Sequence, residues 1–533
     1  DPTPPVLVAS IPQKNDTGVS AGGSIILTFD KRVQAGTGDC TLGGEVLKGT
    51  FSGKTVVFPY STLDYNTTYT FTMPEGAVTD KYGNVFKGCT LTFTTMERIQ
   101  PEARIFDVVI AQDGTGDYTT VQEAIDAAPA GQVKPYLIFI KKGTYKGHVN
   151  IPDSKPYLHF IGQSADEVII SDDRLCGGTS DPSIPTYGVA DGATVVCQAA
   201  DCYFENITLE NSWGVEKNGG PQALALYTNN DRIILNKCRL LSYQDTYLTS
   251  TKNNAHRHYL KNCFIEGAVD FIYGGGDAYF DDCILNIVRP AGGYIVAPSH
   301  GASTKWGYVF MNNKITTDRV SDPSTYSIWL GRPWHNNPKT VFINTTAEVS
   351  IPATGWYQTM GGLPALWAEY NTMDKNGNPV DLSNRNTYYY YMDGDKKVEG
   401  YSKAVLTAEE AAQYTVKNIL TGEDAWQPVL RTEACAAPVV KITNGKIIWE
   451  AVPFAICYAI SKDGNVIGFT TEMSYDYDPI AKYTVQAVNE YGGLSGVSSS
   501  GVGIEDTLVG TDIIRTEYYT VEGLKIQAPV KGI

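Results

Sequence analysis

Short strand-like segments recur through the middle of this chain, and their spacing limits the possible architecture more than any other feature. They are Glu205-Asn-Ile-Thr-Leu209, Asn236-Lys-Cys-Arg-Leu240, Lys261-Asn-Cys-Phe-Ile265, Asp281-Asp-Cys-Ile-Leu285 and Met311-Asn-Asn-Lys-Ile315. Their centres fall at residues 207, 238, 263, 283 and 313, so successive steps are 31, 25, 20 and 30 residues. Steps of that size, with a polar residue set before an inward apolar or cysteine position, suit a parallel β-helix. Each coil buries its inner face on its neighbours, and equivalent residues stack. On periodicity alone, an ordinary β-sandwich with coincidental spacing fits as well.

Composition narrows the class. With Gly 52, Tyr 34 and only 19% charged residues among 533, the chain favours strands and tight turns over long amphipathic helices. Lys+Arg 42 against Asp+Glu 58 gives a formal charge of −16, and no basic cluster is available to neutralise phosphates, which excludes nucleic acid as a partner. No apolar run is long enough to cross a bilayer and no charged-then-apolar leader precedes Asp1, so a mature, soluble chain is expected. The ten cysteines form no CxxC pair suited to zinc.

The first 97 residues alternate short apolar runs with turns, as in Ser24 to Phe29, Thr55 to Phe58 and Thr90 to Thr95, and predict a β-sandwich. The stretch PPVLVASIP, the Asp64 to Thr72 segment and the closing TDKYGN and LTFTT resemble bacterial Ig-like domains. Thr120 with Glu123 forms a capping box ahead of Val121, Ala124, Ile125 and Ala128, predicting a short helix. Thr407 with Glu410 repeats it before Ala411, Tyr414 and Ile419. Residues 434 to 500 return to strands, with Trp449, Tyr458 and alternating Tyr483, Val485 and Ala487, and resemble a fibronectin type III module. The tail beyond Gly501 resembles the sorting tails of exported bacterial polysaccharide-degrading proteins. The expected domains are therefore 1–99, 100–433, 434–500 and a tail, 501–533.

Four segments place polar residues inside apolar sequence: Gln222-Ala-Leu-Ala-Leu226, Tyr243-Gln-Asp-Thr-Tyr247, Gly267-Ala-Val-Asp-Phe-Ile-Tyr-Gly274 and Leu330-Gly-Arg-Pro-Trp334. Gln222 and Gln244 are 22 residues apart, and Asp245 and Asp270 are 25 apart, each close to one coil. Stacked coils would bring Gln222, Gln244, Asp245 and Asp270 onto adjacent rungs about 4.8 Å apart. Two carboxylates that close cannot both ionise freely. Arg332 can hold one of them charged in a planar two-point contact while the other keeps its proton as a general acid. The glutamine amides are neutral donors for an oxygen gaining charge. Of the six histidines, only His335 lies near these segments, which disfavours a serine triad.

From about Asp107 to Pro428 the chain resembles the pectin methylesterases of carbohydrate esterase family eight. The resemblance is carried by IAQDGTGDYTTVQEAIDAAP, the Gly143-Thr-Tyr145 turn, the four segments above, Gly355-Trp356, Trp367-Ala-Glu-Tyr370 and Ala425-Trp-Gln-Pro428. It implies a right-handed parallel β-helix, so that with the two small flanking sandwiches the fold expected is all-β, and hydrolysis of C6 methyl esters of homogalacturonan without a metal or other cofactor. It further implies Asp270 as nucleophile, Asp245 as general acid and base, Gln222 and Gln244 at the oxyanion, and Arg332 orienting Asp270. Substrate contacts are implied for Trp334, Tyr273, Val269 and Tyr247. Gly147, Tyr247 and Tyr273 depart from the family pattern, the last two beside the expected groove. Cys263 and Cys283 match positions that some bacterial relatives pair as a disulfide, with free stacked thiols as the alternative. A monomer acting on methyl-esterified homogalacturonan is expected, secreted to the periplasm or cell surface of a Gram-negative bacterium.

Other signals carry less. Gly18-Val-Ser-Ala-Gly22 fits a nucleophile elbow but is followed by strand-like SIILTF, so a turn is expected. Asp374, Asn376 and Asn378 imitate a calcium loop, but Arg385 stands where its closing glutamate belongs. His256 and His258 are expected to be solvent-exposed, and Gly274 to Gly276 to turn the chain beside the groove. The rival functions are a pectate lyase or polygalacturonase on the same fold, and a non-catalytic glycan-binding surface protein.

Overall fold

The computed structural model describes residues 2–500 except 62 and 252–254, together with the short strands Tyr518–Tyr519 and Lys525–Ile526. The expectation of a sorting tail therefore falls mostly outside the described residues. The central unit is a parallel β-helix of three sheets. A ten-stranded sheet runs from Val108–Ile110 to Leu366–Tyr370, a nine-stranded sheet from Gly143–Lys146 to Met373–Asp374, and a seven-stranded sheet from Val149–Ile151 to Trp329–Gly331. Every pairing in these sheets is parallel and joins successive coils, so the repeat steps become register. Thr208, Arg239, Phe264, Ile284 and Lys314 form one such column, each a single residue after the repeat centres 207, 238, 263, 283 and 313.

The residue before each centre explains the corner. Asn206, Lys237, Asn262, Asp282 and Asn312 all have φ between 51° and 58°, the left-handed region in which Asn and Asp are enriched. Inside the coil, Phe160, Phe204, Leu235, Leu260, Phe280, Phe310 and Phe342 stand in register, and the Phe280–Phe310 and Phe310–Phe342 rings stack at 4.4 Å. The aromatic column ends at Glu369, which pairs with Phe342 in the last rung. Its charge is met by Arg385, whose Nε donates at 2.5 Å and Nη2 at 3.2 Å, both side chains being 1% exposed. Arg385 also donates to the Pro352 and Ala353 carbonyls, each at 3.1 Å, and is a structural arginine in the end of the coil. Asp374 itself closes a turn by accepting from the Asn376 and Asn378 amides.

At the opposite end the predicted helix, Val121–Ala127, caps the core with Val121, Ala124 and Ile125, and its Thr120–Glu123 capping box is formed. The second capping box, Thr407 with Glu410, also forms, but the helix it opens stops after Ala408–Ala411. Thr415 then caps a separate helix, Val416–Leu420, by accepting from the Asn418 amide. One apolar stripe, Ala411, Tyr414 and Ile419, is thus split by a second N-cap.

The outer face of the ten-stranded sheet is apolar, with Phe139, Ile161, Tyr203, Ile234, Tyr259, Tyr279 and Val309 all buried, and must be covered. Tyr414, Ile419, Leu420 and Trp426 cover its later strands, and the C-terminal unit covers the earlier ones, with Phe469 4.7 Å from Phe106 and 4.9 Å from Phe139. That unit consists of a four-stranded and a three-stranded sheet. The N-terminal unit is a sandwich of four- and five-stranded sheets around Ile25, Leu27, Phe58, Phe71 and Phe93. Within it, strand Asp16–Val19 runs by a turn into strand Gly23–Phe29, so Ser20 is not on a nucleophile elbow. Arg98 joins the two outer units. It donates to Glu490 at 3.0 and 2.7 Å and to the Tyr65 hydroxyl at 2.6 Å, and lies 4.6 Å from the Phe454 ring.

Arg385→Ala is expected to leave Glu369 charged and unpaired in the end of the coil, at a cost of about 3–5 kcal/mol. A urea titration should give a clearly lower unfolding midpoint, and Arg385→Lys should recover only part of it.

Candidate active site

The seven-stranded sheet gathers the polar segments. The Asp245 amide donates to the Val269 carbonyl at 3.0 Å, which sets Asp245 beside Asp270 on the next rung, and the Ala223 amide donates to the Gln244 carbonyl at 3.1 Å. Gln244 bridges Val269, which pairs with Tyr294, which in turn pairs with Trp329. Gly331 follows two residues later against Val296, and the Arg332 amide donates to the Val296 carbonyl at 3.0 Å.

Strict alternation would send Asp270 inward. The strand Val269–Gly274 avoids this with a register shift between Val269 and Ile272, where one residue more is spent than on the partner strand Tyr294–Pro298. Phe271 and Ile272, neighbours in sequence, therefore both enter the core, while Val269 remains half-exposed. Asp270 takes φ 49° and Asp245 φ 61°, a conformation that costs a non-glycine residue energy and clusters at functional sites.

Arg332 grips Asp270 in the two-point contact foreseen from the residue types. Its Nε donates to Oδ1 at 2.8 Å and its Nη2 donates to Oδ2, while the guanidinium lies 4.4 Å from the centre of the Tyr294 ring. Burial pushes the Asp270 carboxyl up, and Arg332 opposes the shift. Asp245 is driven well above the usual carboxylate range, first by burial and then by the Asp270 charge; Arg332 and a hydrogen bond from the Tyr273 hydroxyl act the other way. The surroundings thereby distinguish the two carboxyls: Arg332 counters the upward shift at Asp270, whereas Asp245 is driven towards its protonated form.

The glutamine amides sit where only glycine leaves room. A Cβ on Gly177 would fall 1.8 Å from Gln222 Oε1, and one on Gly220 would fall 2.7 Å from Gln244 Oε1. Trp334 is half-buried, with its ring 5.5 Å from Tyr273 at 66°, at the edge of an outer apolar cluster that includes Leu224, Tyr227 and Leu248.

Three expectations are corrected. Tyr247 does not face the groove: it is 0% exposed inside the coil, within hydrogen-bonding distance (2.9 Å) of Thr228 Oγ1, because its place in the strand alternation points it inward. Tyr273 is only 5% exposed, which leaves Trp334 as the flat surface. His258 is fully buried, its Nε2 2.8 Å from the Asn230 carbonyl, and burial lowers its pKa to about 4; His256 is half-buried. Cys263 and Cys283 are free thiols on adjacent coils, each donating to backbone carbonyls. Among the described residues, no group of three or more His, Cys, Asp or Glu could hold a metal.

Tyr294, Gly177 and Gly220 were not singled out from the sequence. Tyr294 was within reach of it, since it lies 25 residues beyond Val269, the same step that separates Asp245 from Asp270. The glycines carry no such signal, because what they accommodate comes from other coils.

Comparison with known proteins gives two family matches: bacterial Ig-like domain over residues 1–95 and pectinesterase over residues 107–423. A pectinesterase/pectinesterase inhibitor of Solanum lycopersicum is 30% identical over 322 residues, covering 59% of this chain and 51% of that protein. A pectinesterase of Daucus carota is 29% identical over 322 residues, covering 59% of this chain and 93% of the other. A solved pectin methylesterase from carrot superposes with a TM-score of 0.49 at 25% identity, over 61% of this chain and 96% of its own. The chain spans about half the length of some curated relatives it matches, the tomato protein among them. With a match extending over more than half of its residues and enclosing every residue of the site, the chain belongs to the pectinesterase family.

Proposed function

We propose that the chain hydrolyses the C6 methyl esters of homogalacturonan to pectate and methanol. One observation carries the reading: Asp245, in surroundings that favour its protonated form, lies one rung from Asp270, which Arg332 holds in a two-point contact. That pairing supplies a nucleophile and an acid with no serine or histidine between them.

In this mechanism an Asp270 carboxylate oxygen attacks the ester carbonyl, and the oxygen that gains charge is met by the Gln222 and Gln244 amides. As the carbon–oxygen bond to the methoxy group breaks, Asp245 gives its proton to the departing oxygen and methanol leaves. The acyl-enzyme is a mixed anhydride with Asp270. Asp245, now ionised, takes a proton from water as that water attacks the anhydride, and Asp270 is released as carboxylate with Arg332 still in contact. Val269 and Trp334 border the acceptor region as the substrate contacts of the reading, Trp334 offering a ring face to a sugar.

The flanking units, 1–99 and 434–500, act in this reading as accessory modules, the second of fibronectin type III kind, around a catalytic unit at 100–433. The bacterial Ig-like match supports a setting outside the cytoplasm; the reading puts the chain in the periplasm or on the surface of a Gram-negative cell, working as a monomer. Among the described residues no helix is long and apolar enough to cross a membrane.

Methanol release from highly methylated pectin, without new reducing ends, is the direct test; new reducing ends or unsaturated products would assign a polygalacturonase or lyase. Asp270→Ala should abolish methanol release, on the order of 10⁴-fold or more, with an unchanged circular dichroism spectrum. Full activity in that variant would remove Asp270 as nucleophile.

Asp245 also makes a stability prediction. Its carboxyl is raised in the folded state, so its contribution to stability is complete below the unfolded-state value of about 3.9 and is lost as pH rises through the raised folded value. Asp245→Asn, a mimic of the protonated form, should therefore melt above the parent at pH 8, with the gap closing at pH 4. Tyr273→Phe removes a hydrogen bond that favours the ionised Asp245, so the alkaline limb of the kcat/KM profile should move to higher pH.

A further inference from the structure

The seven-stranded sheet that carries the aspartates does not end its column at Trp329–Gly331. Gly331 bridges Trp356, the Tyr357 amide donates to the Gly331 carbonyl at 2.9 Å, and Thr359 then bridges Tyr390 in parallel. The hairpin Tyr388–Asp393 with Lys396–Tyr401 thus continues the same face about four rungs, or roughly 20 Å, beyond Asp270. Tyr389 turns inward and is buried against Trp367 at 5.4 Å, with its hydroxyl on the Asn386 carbonyl at 2.9 Å. By strand alternation this anchor sends Tyr388 and Tyr390 outward.

The outward residues make an aromatic track. Beginning at Tyr294, which touches Arg332, ring contacts run to Tyr357 at 5.3 Å and from Tyr357 to Trp329 at 5.5 Å. On the hairpin, Tyr388 stacks with Tyr390 at 6.0 Å and 26° and lies 5.4 Å from Tyr401. Tyr401 is 76% exposed, and Met360 and Met392 beside these strands are 41% and 55% exposed. So much open apolar and aromatic surface in line with a polar site is the mark of a ligand track rather than of core packing.

Charge selects what the track takes. Lys397 lies over Tyr388 and Tyr390 at 5.1 and 4.6 Å but is engaged by Glu399 at 3.2 Å, and the hairpin as a whole sets Asp393, Asp395 and Glu399 against Lys396 and Lys397, a net charge of −1. The chain as a whole carries −16. A run of free carboxylates would be repelled here, whereas neutral methyl-esterified galacturonate offers ring faces and methyl groups to the aromatics. We propose that the outward face of the hairpin, Tyr388, Tyr390 and Tyr401, joined to the site through Tyr357, Trp329 and Tyr294, is a remote binding track for a still-methylated stretch of the galacturonan chain. The proposal rests on the de-esterification reading above.

The test compares methanol release from long, highly methylated pectin and from a short methylated oligogalacturonide, using the full chain and its Tyr388→Ala, Tyr401→Ala and combined variants. Each ring lost should raise KM for the long substrate about threefold to tenfold. The kcat and all parameters for the short substrate should hold, and Tyr401→Trp should restore the long-substrate KM. Retardation of the same proteins in gels containing methylated pectin or pectate reads the track without turnover: methylated pectin should retard the parent and not the combined variant, and pectate should retard neither. An unchanged long-substrate KM, an equal loss on both substrates, retardation by pectate, or a change of oligomeric state in the combined variant would overturn the track. A parent that releases no methanol but is retarded through these tyrosines would instead overturn the de-esterification reading and keep the track.

Discussion

Hydrogen bonding between parallel coils is the constraint on which the rest of this molecule depends. It converts a distance of 20 to 31 residues along the chain into one of about 4.8 Å in space, so a side chain's neighbours are those one coil away. Gln244, Val269, Tyr294 and Trp329 fall into one column for this reason alone, and Asp245, Asp270 and Arg332 meet just beside it. Such a lattice is rigid, because moving one rung would break the backbone bonds above and below it. Charges assembled on it need no rearrangement to act together.

That rigidity explains how a costly site persists. Asp270 is buried, and desolvating its carboxylate is unfavourable unless a counter-charge is held in good geometry. Arg332 supplies that geometry through two parallel bonds, and its own face is covered by Tyr294. Asp245 has no such partner, and burial beside the Asp270 charge favours its protonated form. One arginine placed asymmetrically between two acids is therefore enough to make them different. The left-handed backbone at both aspartates is the accompanying strain, tolerated because the coils on either side fix it.

Much of this could be read from the residues. The repeat centres lie one residue from a real column of paired strands, both capping boxes form, and the two-point arginine contact follows from placing Asp270 and Arg332 together. What escaped has a common cause, which is that period and residue type say which coil a side chain occupies but not which side of the wall it faces. Tyr247 lies two residues from Asp245, yet the alternation buries it completely. The bulge at Asp270 is a single residue in 25, below the irregularity of the repeat itself. His258 and Arg385 look like surface residues in isolation, and their burial depends on partners, the Asn230 carbonyl and Glu369, that are distant in sequence.

The flanking units obey the same logic from the outside. A β-helix wall with Phe139, Ile161, Tyr203 and Tyr259 on its outer surface cannot stand in water without loss, and the chain supplies its own cover. Phe469 from the C-terminal unit takes the early coils, and Tyr414 with Trp426 takes the later ones. The N-terminal sandwich closes the arrangement through Arg98, held between Glu490, Tyr65 and Phe454, and through Asn371, whose amide reaches Thr55 at 3.3 Å and Asn344 at 2.9 Å. Because this cover lies on the ten-stranded sheet, it leaves the seven-stranded sheet with its aspartates and aromatic extension uncovered. The two sheets differ in outer composition for that reason: apolar where the chain folds back on itself, and polar then aromatic where it does not.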